Sequence, residues 1–258
     1  MFGIPSAITL ALNLLAPSIV IGFLIGFGGV GGLLLAPALN VIGGMPIHEA
    51  VRLCMLVYVI TGLIGTAVFV RNGYVDGRAL FALMLGAGPG ALLGAVSLNS
   101  ISAFHLEFLL AIVIFAAGVY SLIRLRVNGN AQRTLTLPAQ VLIGLVTGFG
   151  SALTGTGGPL ILLPILLFAQ IEGKPAVGLA QAIQIPIGVM ATLGNMMTVG
   201  VDFSLGILLS VAVGIGVWAG ALRSHRSSDG QIQSFLGIAL IVIALAYGAY
   251  NFHALLPP

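Results

Sequence analysis

The sequence has few of the residues that soluble proteins expose to water. Only 6% of its 258 residues are Asp, Glu, Lys or Arg, and 59% are hydrophobic. An ordinary soluble domain has about 25% charged residues. So few charges cannot cover the surface of a soluble fold of this length, which means that lipid must surround most of the chain. The net charge of +3 comes from a few short loops and does not indicate a nucleic-acid partner.

Cysteine and histidine are scarce as well. The single cysteine, Cys54, excludes a disulfide framework and a CxxC metal site, and we expect it to pack as a small hydrophobic side chain. The four histidines lack metal-ligand spacing, and no H-E-x-x-H, G-x-x-x-x-G-K-[ST] or G-x-S-x-G motif occurs. An intramembrane hydrolase with Ser151 as nucleophile has no histidine at comparable depth to act as its base. We therefore expect no catalytic residues, no metal and no cofactor.

Long apolar segments are abundant. A spanning helix needs about 20 mainly apolar residues. Eight blocks of this kind occur, at 6–42, 47–70, 79–99, 103–123, 138–170, 175–199, 203–222 and 231–255. Short polar segments separate them, and the alternation typical of strands does not persist. The sequence therefore predicts an all-α polytopic membrane protein with eight to ten helices.

The eight blocks form two similar sets of four. Four anchor residues of the first set recur in the second at offsets of 127, 129, 129 and 126: Pro37 and Pro164, Pro46 and Pro175, Gly65 and Gly194, Gly94 and Gly220. We predict a first transmembrane repeat over 1–124, a basic cytoplasmic linker over 125–136 and a second repeat over 137–258.

The basic residues predict how the repeats face the bilayer. The arginines of 71–78 and 124–133 lie two crossings apart, so both segments are cytoplasmic by the positive-inside rule. Lys174 and the arginines of 223–226 lie on the same side of the membrane as these segments only if block 5 crosses the membrane an even number of times. Its two halves, about 14 residues each, would rise about 20 Å, less than a bilayer core of about 30 Å. We predict that the first block of each repeat is a hairpin, re-entrant or crossing twice, and that the repeats are inverted.

Residues 26–32, GFGGVGG, contain the G-x-G-x-x-G motif of dinucleotide-binding folds. That motif needs a βαβ unit, which a helical membrane protein does not provide. We expect a helix break instead, with four candidate site residues: Gly28, Gly29, Gly31 and Gly32. Non-helical backbone at membrane depth is tolerated when it lines a wet cavity or is buried in protein. The half-helix that follows would present unpaired N–H groups to an anion.

A matching glycine cluster, TGTGGP, lies in block 5. Its candidate site residues are Thr154, Gly155, Thr156, Gly157 and Gly158. Pro159 stands where the first residue of the next helix is expected. Close packing of helices through small residues is the alternative explanation, but two clusters at matching repeat positions favour a binding site.

Polar residues inside the apolar blocks are further candidates. Arg52 is the only Lys or Arg outside the inferred cytoplasmic loops, and its guanidinium suits an anionic substrate. It could instead pair with Glu49, three residues earlier. Gln181 stands at the repeat-equivalent position of Arg52, and Gln184 follows one turn later.

Three more polar residues complete the candidates. Asn195 could bind an anion or make a hydrogen bond between helices. His48 and Glu49 are candidate proton-coupling groups.

These motifs resemble the sulfite exporter TauE/SafE family of membrane permeases over nearly the whole chain. The resemblance rests on Gly22…Gly26-x-Gly28-Gly29-x-Gly31-Gly32…Pro37, Pro46…Ala50 and Arg71-Asn72-Gly73-Tyr74-Val75-Asp76, and on Gly144…Gly148…Gly155-x-Gly157-Gly158-Pro159…Pro164…Pro175. Where relatives usually have small or hydroxyl residues after Ala50, this chain has Arg52.

The resemblance implies a carrier, and most simply an exporter, of sulfite or organosulfonates in the bacterial inner membrane. Its partners would be a small anionic substrate and the lipid bilayer, and the sequence leaves open a monomer or a homodimer. A channel is the main alternative function, and an accessory membrane subunit is a third.

Overall fold

The computed structural model of the protein describes residues 7–28, 31–71, 76–124, 135–168, 174–224, 238 and 241–250. These residues contain α-helices and short 3₁₀ turns and no strand. In the first half the helices are α1 (Ala7–Gly28), α2 (Leu35–Val41), α3 (Ile47–Arg71), α4 (Gly77–Ser97) and α5 (Ala103–Arg124). In the second half they are α6 (Leu137–Thr154), α7 (Pro159–Phe168), α8 (Lys174–Ala182), α9 (Gln184–Thr198), α10 (Phe203–Ser224) and α11 (Ile241–Tyr250).

The helices confirm the predicted class of an all-α polytopic membrane protein. Five helices of the described ranges are long and apolar enough to cross a bilayer: Ile47–Arg71, Gly77–Ser100, Leu137–Thr154, Pro175–Thr198 and Phe203–Arg223. The described residues contain eleven α-helical segments rather than eight to ten, because a turn at Ile183 divides the sixth block into α8 and α9.

Blocks 1 and 5 each form a helical hairpin around their glycine cluster. A Cβ atom added at Gly150 of α6 would lie 2.6 Å from Ile161 Cδ1 of α7, so α7 returns beside α6. Just after block 1, a Cβ atom added at Gly43 would lie 3.4 Å from Leu14 Cδ1 of α1, so the end of this block returns beside α1. Within the described residues, α6 has 18 residues and α7 has 10 up to Phe168, where about 14 were expected for each.

Glycines bring the first helix of each repeat against a helix of the other repeat. A Cβ atom at Gly22 of α1 would lie 2.1 Å from the Val213 carbonyl oxygen of α10. One at Gly148 of α6 would lie 2.1 Å from the Ala87 carbonyl oxygen of α4. The two glycines are 126 residues apart, and so are their two partners. The α1–α10 and α6–α4 contacts are therefore the same contact made twice.

The contacts also give relative helix directions. Gly26 meets Val217, four residues after the Gly22 contact on both helices, so α1 and α10 are parallel. On α4 and α6, Gly86 meets Val141 and Gly90 meets Leu145, so these helices are parallel too.

The central helices α3 and α9 run in opposite directions. Gly65 of α3 packs on Gln181, at the end of α8, and Gly62 packs on Gln184, at the start of α9. Further along α9, Gly188 packs on Met55. As the residue number rises on one helix it falls on the other, which fixes the α3–α9 register used below.

Two aspartates cap the starts of helices. Asp76 caps α4 by accepting a hydrogen bond from the Arg78 amide at 2.9 Å. Asp202 caps α10 by accepting one from the Leu205 amide at 3.1 Å. Cys54 is fully buried in α3, as expected of a small hydrophobic side chain.

Candidate functional site

Tyr58 of α3 joins the two glycine breaks. Its hydroxyl donates toward the carbonyl oxygen of Gly32, in the first break, and lies 2.9 Å from that of Gly155, in the second. Its ring packs against Gly157, where an added Cβ would lie 2.8 Å from ring atom Cδ2. Tyr58 is fully buried. A tyrosine hydroxyl carries one hydrogen, so it can donate fully to only one of the two carbonyl groups at a time.

The second break has a backbone that favours glycine. Gly155 ends α6 in the left-handed region at φ +67°, and Gly157 and Gly158 have φ of +75° and +115°. Pro159 is the first residue of α7, as predicted. Residues other than glycine rarely adopt these backbone angles, which explains why the sequence needs a glycine cluster here.

The two threonines of the second break bond to each other rather than to the start of α7. Thr154 Oγ1 donates to the Gly150 carbonyl at 2.7 Å and lies 3.0 Å from Thr156 Oγ1. All residues from Ser151 to Leu160 are buried. This conformation therefore keeps the second break away from solvent.

The first break is described in part. Gly28 ends α1, and the 3₁₀ turn Gly31–Leu34 leads into α2. Gly29 lies outside the described residues. A Cβ atom at Gly31 would lie 2.6 Å from the Ile25 amide nitrogen, so the chain folds tightly back on α1. A Cβ atom added at Gly32 would lie 3.2 Å from Cε1 of the Tyr58 ring.

The two predicted glutamines form a buried network at the first break. Gln181 Nε2 donates to the Ile25 carbonyl of α1 at 3.0 Å, so an amide of the second repeat reaches the broken helix of the first. Gln184 Nε2 donates to Gln181 Oε1, and Thr61 Oγ1 donates to Gln184 Oε1 at 3.1 Å. Both glutamines are 1% exposed. Protein groups therefore orient these amides around the break.

The structure does not bring Arg52 to the glutamines, although repeat symmetry predicted that they face each other. Gln184 contacts Thr61, which is nine residues from Arg52 on α3, or about 13.5 Å along the helix. The Arg52 guanidinium donates instead to Asn99 Oδ1 at 3.1 Å, at the end of α4. Within the described part of the chain, Asn99 rather than Glu49 is its hydrogen-bond partner.

Arg52 lines an open cavity of about 380 Å³ where α9 meets α10. Glu49 and Asp202 also line this cavity, together with Leu53 and residues 199–201. One cation thus faces two carboxylates at this mouth. His48 lies at the same end of α3, and its Nε2 donates to the Ile101 carbonyl at 2.8 Å.

Asn195 is fully buried in α9, and neither its amide nitrogen nor its amide oxygen has a partner among the described residues. The same is true of the Thr147 and Ser151 hydroxyls on α6, which the sequence did not identify as site residues. Within the described residues, Asn195 makes no side-chain hydrogen bond to another helix. Buried polar groups are nearly always paired, so these groups need an explanation.

Sequence reasoning also missed Tyr58 and Thr61. A lone tyrosine or threonine in an apolar helix gives no signal of its own in one sequence. The one available signal was position. The offset of 129 matches Gln181 with Arg52 and Gln184 with Met55, and Tyr58 follows these two residues in the same block.

Comparison with known families decides the identity of the chain. A family model described as Sulfite exporter TauE/SafE matches residues 14–247. The chain belongs to this family. The match spans both glycine breaks, and it agrees with the resemblance seen in the sequence motifs.

The relatives of this TauE/SafE protein are described as probable membrane transporter proteins. One from Methanocaldococcus jannaschii is 27% identical over 197 residues, covering 72% of this chain and 72% of the relative. One from Bacillus subtilis is 26% identical over 211 residues, covering 78% and 85%. A second from Bacillus subtilis is 25% identical over 252 residues, covering 92% and 99%. No solved structure matches the chain. This TauE/SafE protein is a membrane transporter and not an enzyme.

Proposed function

We propose that this protein is a secondary transporter that exports small sulfur-containing anions, such as sulfite or organosulfonates, across the bacterial inner membrane. The family description names sulfite as the exported species, and the relatives are described as transporters. One structural observation carries the proposal: two broken helices, one from each repeat, meet at a single buried side chain, Tyr58.

Helix directions support an inverted-repeat arrangement. Helices α1 and α10 are parallel, α4 and α6 are parallel, and α3 and α9 are antiparallel. Short loops reverse the direction between α3 and α4 and between α9 and α10. Together these relations make α6 antiparallel to α1. Inverted repeats with broken helices that meet inside the membrane are a transporter architecture. In such an arrangement all the basic loops would lie on one side, which we assign to the cytoplasm.

The substrate would bind at the breaks, and the polar groups around them support this. The glycines of both breaks let a ligand approach the backbone. The amides of Gln181 and Gln184 reach the first break, and Asn195 has an amide without a protein partner. We assign Arg52 a local role at this cavity, contacting the anion through its guanidinium, because Glu49 and Asp202 leave the cavity with a net negative charge that does not attract anions from a distance. His48 and Glu49 remain our candidates for proton coupling, and the homodimer remains a prediction.

A channel is the competing function, because a gated pore could use the same broken helices. The closed second break, buried from Ser151 to Leu160, favours a carrier over an open pore. A binding measurement tests the proposal directly. A ligand that binds the folded state raises the unfolding temperature, and an excess of 100 times Kd contributes about 2.7 kcal/mol.

The test is a thermal-shift panel on detergent-solubilised protein with sulfite, sulfoacetate, taurine, thiosulfate and sulfate. We expect saturable stabilisation by at least one sulfur anion and none by sodium chloride at equal ionic strength. If none of these anions changes the unfolding temperature, the sulfur-anion assignment is wrong, although the transporter family stands.

A further inference from the structure

Three buried side chains surround the second break with polar groups that the protein itself does not pair. They are Thr147 and Ser151 on α6 and Asn195 on α9, each 0% exposed. Their hydroxyls and both amide atoms have no hydrogen-bond partner among the described residues. Leaving such a group unpaired costs about 1–3 kcal/mol. Such groups are rare in protein interiors, so several of them together point to a ligand or water that pairs with them.

Thr147, on α6, lies close to the start of α7 in space. A Cβ atom at Gly158, the residue before α7, would lie 3.9 Å from Thr147 Cγ2 and 2.9 Å from Ile187 Cδ1. Gly158 is thus enclosed between α6 and α9. Ser151 follows Thr147 by one turn on the same face of α6, and its carbonyl accepts the Gly155 amide at 2.9 Å.

Asn195 flanks the same break from the other side. In the α3–α9 register, Gly65 packs on Gln181 and Gly62 on Gln184, so Asn195 is level with Val51. A Cβ atom at Gly155 would lie 3.2 Å from Val51 Cγ2. The unpaired amide is therefore at the height of the residue that ends α6.

The first repeat provides an internal control for the two hydroxyls. The offset of 126 that relates the α1–α10 and α6–α4 contacts matches Thr147 with Ile21 and Ser151 with Ile25. Both isoleucines are buried, at 6% and 1% exposure. Isoleucine fills these positions in the equivalent helix, so packing does not require hydroxyl groups there. At these two positions the polar version occurs in the second repeat only. Thr66, which the offset of 129 matches with Asn195, and Thr192 on α9 also have hydroxyls without a partner among the described residues.

The donors at this break are neutral. Two hydroxyls and an amide NH₂ can donate hydrogen bonds, and the N-terminus of the ten-residue helix α7 adds roughly half a positive charge. Helices α6, α7 and α9 contain no charged residue. Arg52, on α3, is bound to Asn99 at the mouth. A single negative charge spread over several oxygen atoms suits such a site, whereas a second charge would be buried without a counterion.

We propose that Thr147, Ser151 and Asn195 form a neutral donor site that binds singly charged oxyanions, sulfonates and hydrogen sulfite among them, and rejects doubly charged ones such as sulfate. This inference rests on the proposed function, because it assigns that function's substrate to one repeat and one charge state. It makes the second repeat the main binding half and the first repeat the supporting half.

The test measures binding of methanesulfonate and of sulfate to the full-length protein in detergent at constant ionic strength. We expect wild-type protein to bind methanesulfonate and to bind sulfate at least tenfold more weakly. Thr147→Val, which keeps the side-chain shape, Ser151→Ala and Asn195→Leu should each weaken methanesulfonate binding about tenfold or more, the loss expected for a hydrogen bond to a charged group.

Two matched variants distinguish this loss from misfolding. Thr147→Ser keeps the hydroxyl and should bind nearly as wild type does. Ser210→Ala removes a buried hydroxyl that donates to the Gly206 carbonyl at 2.7 Å in α10 and should leave binding unchanged. Wild-type affinity in Thr147→Val and Asn195→Leu would overturn the site, and equal affinity for sulfate would overturn the charge preference. If wild-type protein binds neither methanesulfonate nor sulfite, the proposed function fails with it.

Discussion

Replacing Tyr58 by phenylalanine tests whether the two glycine breaks act together. The hydroxyl is the group through which both breaks contact the same side chain, at the Gly32 and Gly155 carbonyls. Phenylalanine keeps the ring that packs against Gly157 and removes only the donor. The change therefore separates the hydrogen bonds from the packing.

The expected loss of stability follows from the burial of these groups. Removing the donor strands at least one buried carbonyl, which costs about 1–3 kcal/mol. Hydrogen bonds within membrane proteins are often weaker, averaging about 0.6 kcal/mol, so the lower part of the range applies. For a chain of this length each kcal/mol changes Tm by about 2–4 °C. We expect a fall of a few degrees.

The assay pairs thermal unfolding in detergent with turnover in proteoliposomes. Turnover should fall at least severalfold in Tyr58→Phe, because the breaks lose the link between repeats, while substrate affinity changes little. Tyr250→Phe, at a 57% exposed site on α11, is the control and should match wild type in both measurements. Unchanged Tm together with unchanged turnover in Tyr58→Phe would refute the idea that this hydroxyl links the breaks.

Three further predictions follow from the geometry. Gly158→Ala forces a side chain into φ +115° and should cost about 1–3 kcal/mol with loss of transport, whereas Gly77→Ala, with open space around it, should be tolerated; equal stability of the two variants would contradict the strained break. An impermeant thiol reagent added outside should label a cysteine placed at Asp202 and not one placed at Arg223; the reverse pattern would contradict the assigned orientation. Arg52→Gln should raise the half-saturating anion concentration by less than about tenfold, mainly at low salt; a fall in maximal rate at high salt would show a more central role.

Sequence patterns with short range predicted much of the fold. The lengths of the hydrophobic blocks predicted the spanning helices. A hairpin in block 5 was predicted because only an even number of crossings there brings all the basic loops to one side. Pro159 was recognisable because helix-start chemistry depends on a few adjacent residues. The lengths of the hairpin halves were not predictable, because the glycine cluster marks a break without saying where the flanking helices begin.

The site was less predictable because it depends on contacts between distant segments. Tyr58 looks like any core aromatic residue until the fold brings Gly32 and Gly155 to it. Arg52 was expected opposite Gln181 because repeat symmetry matches them, but Asn99 offers an acceptor in the other direction. The symmetry between the two repeats matches their backbones more closely than it matches their side chains, which have diverged.

The most direct test of the central claim is counterflow of labelled sulfite in proteoliposomes that contain only this protein. If the chain is a sulfur-anion carrier, labelled sulfite should accumulate transiently, saturably, and only when unlabelled sulfite is inside. Uptake no greater than in protein-free liposomes would contradict the assignment. A flux that rises linearly with concentration and needs no internal substrate would make the protein a channel.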